Sequence, residues 1–169
     1  MIDAKTPATP RLVIVAGACV IGLLTHFLPW VNVEGFVQAS VTGIKLDDWR
    51  GVMSAILLGG AGVVWALPFF GTALRESDFR TLRIIAGVAL AIAFALQVSI
   101  FFELGDMTAK VNENMNNFQM TGFGGGFGQM PKLTMPTIKT SAGIGLMAAA
   151  VTSLAATVLS FREIQSKPA

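Results

Sequence analysis

Charge is scarce in this sequence. Of its 169 residues only 13% are Asp, Glu, Lys or Arg, whereas 53% are hydrophobic. A soluble domain of ordinary composition carries roughly 25% charged residues, and a chain this short has too little interior to hide so much apolar surface from water. The shortfall is concentrated in four windows of about 20 residues, the length that crosses a hydrocarbon core at helical rise. Cysteine is nearly absent as well. Cys19 alone excludes an intrachain disulfide, a C-x-x-C pair and a Cys/His metal site, and it reads as a small buried hydrophobe. Basic residues are scattered singly and the net charge is only +2, so the electrostatic footprint of a nucleic-acid binder is missing. No Ser-His-Asp set and no pair of buried carboxylates is present, so no enzyme is expected. No ionisable residue lies deep in an apolar window, where transporters usually keep one.

The four windows run from about 12 to 30, 52 to 70, 84 to 102 and 142 to 161, none with a charge inside its apolar stretch. Backbone in lipid must satisfy its own hydrogen bonds, so each reads as a helix. The expected fold is an all-α membrane protein, a four-transmembrane-helix bundle with a small extracytoplasmic β element, forming one domain over residues 1–169. The first window has Lys5 and Arg11 before it but no A-x-A-like cleavage site after it, which reads as a retained anchor. Seven Lys or Arg residues flank the windows on the side of the two termini, against five over a much longer stretch on the other. The denser side is expected to be cytoplasmic, with both termini on it. In the short connection between the second and third windows, Ser77 is the expected N-cap, with Arg80 and Arg83 snorkelling from the helix that follows.

Two outer loops remain, about 31–51 and 103–141. Pro29 should stop the first helix, and Trp30 stands where an interfacial aromatic belongs. VNVEGFVQASV then alternates apolar and polar positions, which predicts strands with a turn at Glu34-Gly35 and a second turn at Thr42-Gly43. Asp47 or Asp48 should cap the second helix, beside another interfacial aromatic, Trp49. An isolated hairpin is marginal in water, so it must rest on something; KLTMPTIKTS, before the last window, is a candidate third strand. Helical spacing in ELGDMTAKVNENMN extends the third helix beyond the membrane to about Asn116. The TGFGGGFGQM stretch lacks the G-K-[ST] ending of a phosphate loop, and reads as an apolar loop lying on the membrane or ordered by a neighbouring subunit.

Stripes recur every four positions and bring small residues to the helix surface, as lipid-embedded helix packing requires: Ala18 and Gly22; Ser54, Leu58 and Gly62, beside Gly59 and Gly60; Gly87, Ala91 and Ala95; Gly145, Ala149 and Ser153. Helices two and four carry them on more than one face, which leaves room for another chain. Trp30, Trp49, Phe123, Phe127 and Met130 are the candidate partner contacts. His26, Gln97 and Glu103 are the candidate polar path. His26, the only histidine, reads as a polar residue near the membrane boundary and Gln97 as a hydrogen-bonding partner for a neighbouring helix; Glu103, with Asp106 on the same helix face, reads as a solvated helix end, with holding a cation or mating with Arg50 as the alternatives. Met107, Met115, Met120, Met130 and Met135 crowd the second outer loop without M-x-M or M-x-x-M spacing, so neither copper nor any other cofactor is implied.

HFLPWVNVEG, LDDWRG and TSAGIGLMAAA together resemble motifs of small uncharacterised bacterial four-span membrane proteins. The chain is also similar in layout to claudin-type tetraspans, although it lacks their paired cysteines and G-L-W motif. The resemblance implies a multi-pass protein of the bacterial inner membrane and no biochemical activity. The expected function is non-enzymatic: an accessory subunit of a membrane complex or a self-associating tetraspan, with the lipid bilayer, other membrane subunits or itself as partners. An oligomeric transporter for ions or small molecules is the alternative.

Overall fold

The computed structural model describes residues 10–35, 38–45, 48–70, 76–122 and 137–165. Its elements follow as α1 Pro10–Leu24, β1 Pro29–Glu34, β2 Ala39–Thr42, α2 Trp49–Ala66, α3 Glu76–Gly122, β3 Lys139–Ala142 and α4 Ile144–Gln165. Tight 3-10 turns extend α1 over Thr25–Phe27 and α2 over Leu67–Phe70. The helices close into a ring in which α1 and α3 each pack between α2 and α4. Three of them are long and apolar enough to cross a membrane, over Trp49–Phe70, Asp78–Lys110 and Ile144–Gln165; the remaining apolar helix, Arg11–Phe27, is shorter.

The packing is inside out relative to a water-soluble bundle. Large apolar side chains point outward, with Phe70 78%, Phe102 79% and Val151 67% exposed. The interior is built largely from small residues such as Ala93, Ala149, Ser153 and Ala156. In water each outward Phe or Val would forgo roughly 25 cal/mol per Å² of burial. Hydrocarbon imposes no such loss, and small residues let helix backbones approach. These are the helix faces of a membrane protein.

Several boundaries differ from expectation. The first helix stops at Leu24 and its 3-10 turn at Phe27, because Leu28 is already extended (φ −85°, ψ 162°), as the residue before proline must be. Trp30 therefore lies in β1 rather than at the end of a helix, and Ala142 lies in β3 rather than α4. Ser77 falls inside α3 instead of capping it. That helix runs past Asn116 to Gly122. Its inward line is Ala86, Leu90, Ala93, Gln97, Ile100 and Leu104. Of the expected Gly87, Ala91 and Ala95 stripe only Gly87 is buried and Ala95 is exposed, because steps of four residues drift about 40° each around a helix of 3.6 residues per turn. Arg80 is exposed, while Arg83 stacks its guanidinium 4.2 Å from the Phe79 ring and 5.3 Å from that of Trp65.

The strand expectation is met by a three-stranded antiparallel sheet in the order β2-β1-β3. Val31 faces Val41 on one side and Ala142 on the other, and Glu34 pairs with Lys139 across the strands. The sheet rests on the far end of α3. Asn112 receives a hydrogen bond from the Ile138 amide (3.0 Å) and donates one to the Ile138 carbonyl (2.9 Å); the Thr140 hydroxyl donates to the Leu104 carbonyl (2.9 Å). The end of α3 and residues 138–142 thus supply the support that an isolated hairpin lacks.

Candidate functional site

Two apolar clusters fill the bundle. One, under the sheet, contains Trp30, Val31, Ile100, Leu104, Leu146 and Ala149. The deeper one includes Val15, Cys19, Leu58, Leu90, Ala93 and Ala156. Polar side chains occupy the seam between them, one contributed by each helical segment. Gln97 lies between Ala93 of the deeper cluster and Ile100 of the upper one; Ser153 lies between Ala156 and Ala149; Ser54 stands one turn from Leu58. His26 completes the set from the end of the first helix, and all four are 0% exposed.

His26 is therefore enclosed by the bundle, in the 3-10 turn that ends the first helix. A carbonyl can only accept, so Nδ1 carries a proton and donates it to the Gly22 carbonyl at 2.8 Å. Nε2 lies 2.8 Å from the Ser54 hydroxyl oxygen, which itself lies 2.9 Å from the Gly51 carbonyl. The ring packs on Trp30 with centroids 4.5 Å apart. Gln97 differs from expectation too: neither its carbonyl nor its amide nitrogen has a hydrogen-bond partner among the described residues, and neither does the Ser153 hydroxyl. A buried amide left unpaired costs about 1–3 kcal/mol, so this position is not optimised for stability.

Trp30 is buried and cannot offer itself to a partner. Its indole N–H donates to the Thr25 carbonyl at 3.0 Å, and its ring lies directly against Gly43 and Gly145. Trp49, by contrast, is 65% exposed and remains available for contact. Phe123, Phe127 and Met130 lie outside the described residues.

Glu103 does mate with Arg50. The guanidinium donates to Glu103 Oε1 at 2.7 Å and Oε2 at 2.5 Å, to Ser99 Oγ at 3.2 Å, and through Nε to Asp48 Oδ2 at 2.7 Å. This forked arrangement joins the start of α2 to α3. Asp48, the realised N-cap, accepts from the Arg50 amide at 2.9 Å. The hydrogen bond from the Arg50 side chain holds its carboxyl below the ordinary carboxylate range. The unfolded chain has the higher value, so the stabilisation is complete above about pH 4 and is lost as pH falls through the lowered folded value. Unfolding followed by circular dichroism should show stability falling over that acid range, and Asp48→Asn should flatten the dependence. An unchanged profile would mean that the cap is not titrating with folding.

Among the described residues no three His, Cys, Asp or Glu side chains converge as a metal site would require. Ser54 and Ser153 were legible in the sequence only as small packing residues. The usable signal was that both members of those stripes carry a hydroxyl. Comparison with family profiles, with characterised proteins and with solved structures returns no match, so a functional reading rests on the chain's own residues.

Proposed function

We propose that this chain is a four-span integral membrane protein that acts by assembly, as an accessory subunit of a membrane complex or by self-association, and catalyses nothing. The supporting observation is a set of glycines with open space over them. Among the described residues, a methyl group added at Gly17 of α1 or at Gly59 or Gly60 of α2 would meet nothing within 4 Å. One of them, Gly59, lines an apolar crevice between α1 and α2 together with Cys19, Leu23, Leu58, Gly62 and Phe70. Glycine inside a helix costs about 1 kcal/mol relative to alanine, and in lipid its use is to let another helix come close. Glycines with nothing packed on them among the described residues are suited to a neighbour from outside the chain. Both termini on the cytoplasmic side, with the sheet and exposed Trp49 at the opposite face, complete the reading. Gly60→Leu should leave thermal unfolding of the bundle unchanged while abolishing co-purifying chains or homo-oligomer in native mass spectrometry from gentle detergent. Unaltered association would overturn this face as the contact.

The polar seam favours transport as the second reading, with His26 and Gln97 along the path. Glu103 contributes less to it, because Arg50 occupies both of its oxygens. Liposome flux that is insensitive to both Gln97→Leu and His26→Ala would count against it.

A further inference from the structure

We propose that the seam is a proton-binding site: His26 takes up a proton from the solution at the sheet end, and the bundle holds the resulting imidazolium without losing a hydrogen bond. The protons and acceptors around His26 lead to this, independently of assembly. The Gly22 carbonyl requires Nδ1–H in every state. In the neutral ring Nε2 is then an acceptor, and the Ser54 hydroxyl must supply the proton between them. That single proton cannot also serve the Gly51 carbonyl, 2.9 Å away. When Nε2 gains a proton it donates to Ser54 Oγ, and the Ser54 hydroxyl proton turns to Gly51. Every donor then has an acceptor, with no heavy atom moved. Nothing is transferred except the proton from solution.

A buried charge needs dipoles around it. Trp30 presents its ring to the imidazole at 4.5 Å, a placement that favours a cation. Among the described residues the Gln97 carbonyl and the Ser153 hydroxyl are buried acceptors without a partner, on α3 and α4 where the two apolar clusters meet. Such open acceptors cost stability in a purely structural role and suit the solvation of an intermittent cation.

The neighbouring charges are accounted for. On α2, Arg50 stands one turn beyond Ser54 and is bonded to Asp48 and to Glu103 of α3. The inward face of α3 offers Gln97. Between Ile144 and Phe161, α4 has no titratable residue, and α1 has Cys19 two turns below. From the sheet side come Glu34 at the end of β1 and Lys45, next to Ile44, whose amide donates to the His26 carbonyl at 3.3 Å. Among the described residues no carboxylate bonds the imidazole, so its charge follows the solution rather than a fixed counter-ion.

Because His26 is the only histidine, protein labelled with ¹⁵N-histidine in lipid nanodiscs reports this ring alone. The expected spectrum shows Nδ1 protonated and Nε2 bare at alkaline pH. On acidification both nitrogens become protonated, reversibly and with the protein folded. At one fixed acidic pH, Ser54→Ala should lower the protonated-to-neutral ratio roughly tenfold, the loss of one charge-assisted hydrogen bond. Gln97→Leu breaks no hydrogen bond among the described residues, so it should fold, and it should lower the ratio in the same direction. A bare Nδ1, a ring that stays neutral until the protein unfolds, or a ratio unchanged in Gln97→Leu would overturn the proposal.

Discussion

Trp30→Ala is expected to destabilise the protein by about 3–5 kcal/mol, the cost of truncating a fully buried aromatic. Three independent losses lie behind that figure. The ring is 0% exposed and anchors the cluster that joins β1 to α3 and α4 through Val31, Ile100, Leu104, Leu146 and Ala149. Its N–H satisfies the Thr25 carbonyl in the turn that ends the first helix. It also walls one side of His26. The vacated space cannot collapse easily, because Gly43 and Gly145 reach the ring with backbone and have no side chain to swing in. Thermal or denaturant unfolding in detergent, with near-ultraviolet circular dichroism as a check on packing, measures the effect. A loss under 1 kcal/mol would mean that Trp30 sits at a yielding membrane boundary after all.

Gly51→Ala should destabilise as well, against the direction that helix propensity sets. Gly51 lies in the first turn of α2, where alanine is favoured over glycine by about 1 kcal/mol. Its added methyl, however, would run into the Gly43 carbonyl oxygen, which belongs to backbone and not to a flexible side chain. That turn is pinned on both sides, by the Lys45 amide on the Thr42 carbonyl at 3.1 Å and the Ile44 amide on the His26 carbonyl at 3.3 Å. Overpacking costs about 1–3 kcal/mol where neighbours can shift, and more where they cannot, so the clash outweighs the propensity gain. Gly60→Ala is the matched control. It occupies the same helix with open space over its Cα, and it should be neutral or mildly stabilising. Equal unfolding midpoints for the two variants would show that the β2–α2 turn yields freely.

Much of the architecture is legible along the chain because it is local chemistry. Uncharged runs of span length mark the helices. Pro29 forces Leu28 into extended backbone, and alternating valines make β1 and β2. Asp48 caps α2, and the stretch before the last window supplies β3. Even the Arg50–Glu103 pair was nameable from opposite charges beside the ends of two apolar windows. Rotation of each helix about its axis was not legible, and the seam depends on it. Trp30 has the same sequence context whether it faces headgroups or lies between two glycines. His26 reads as a lone polar residue until Ser54 is placed against it from another helix. Gln97 reads as a bridge until neither of its amide atoms finds a hydrogen-bond partner among the described residues.

What the sequence alone determined is therefore the one-dimensional part: which segments suit lipid, where they stop, and where strands begin. Each follows from free energies summed over adjacent residues, namely transfer of apolar side chains, backbone restriction by proline, and capping. What only the tertiary structure decided is which polar atoms meet and which are left alone. Hydrogen-bond partnership depends on distances of a few tenths of an ångström between residues far apart in the chain, and helix packing sets those distances. The proton count at His26, Ser54 and Gly51 exists only once α1 and α2 are docked.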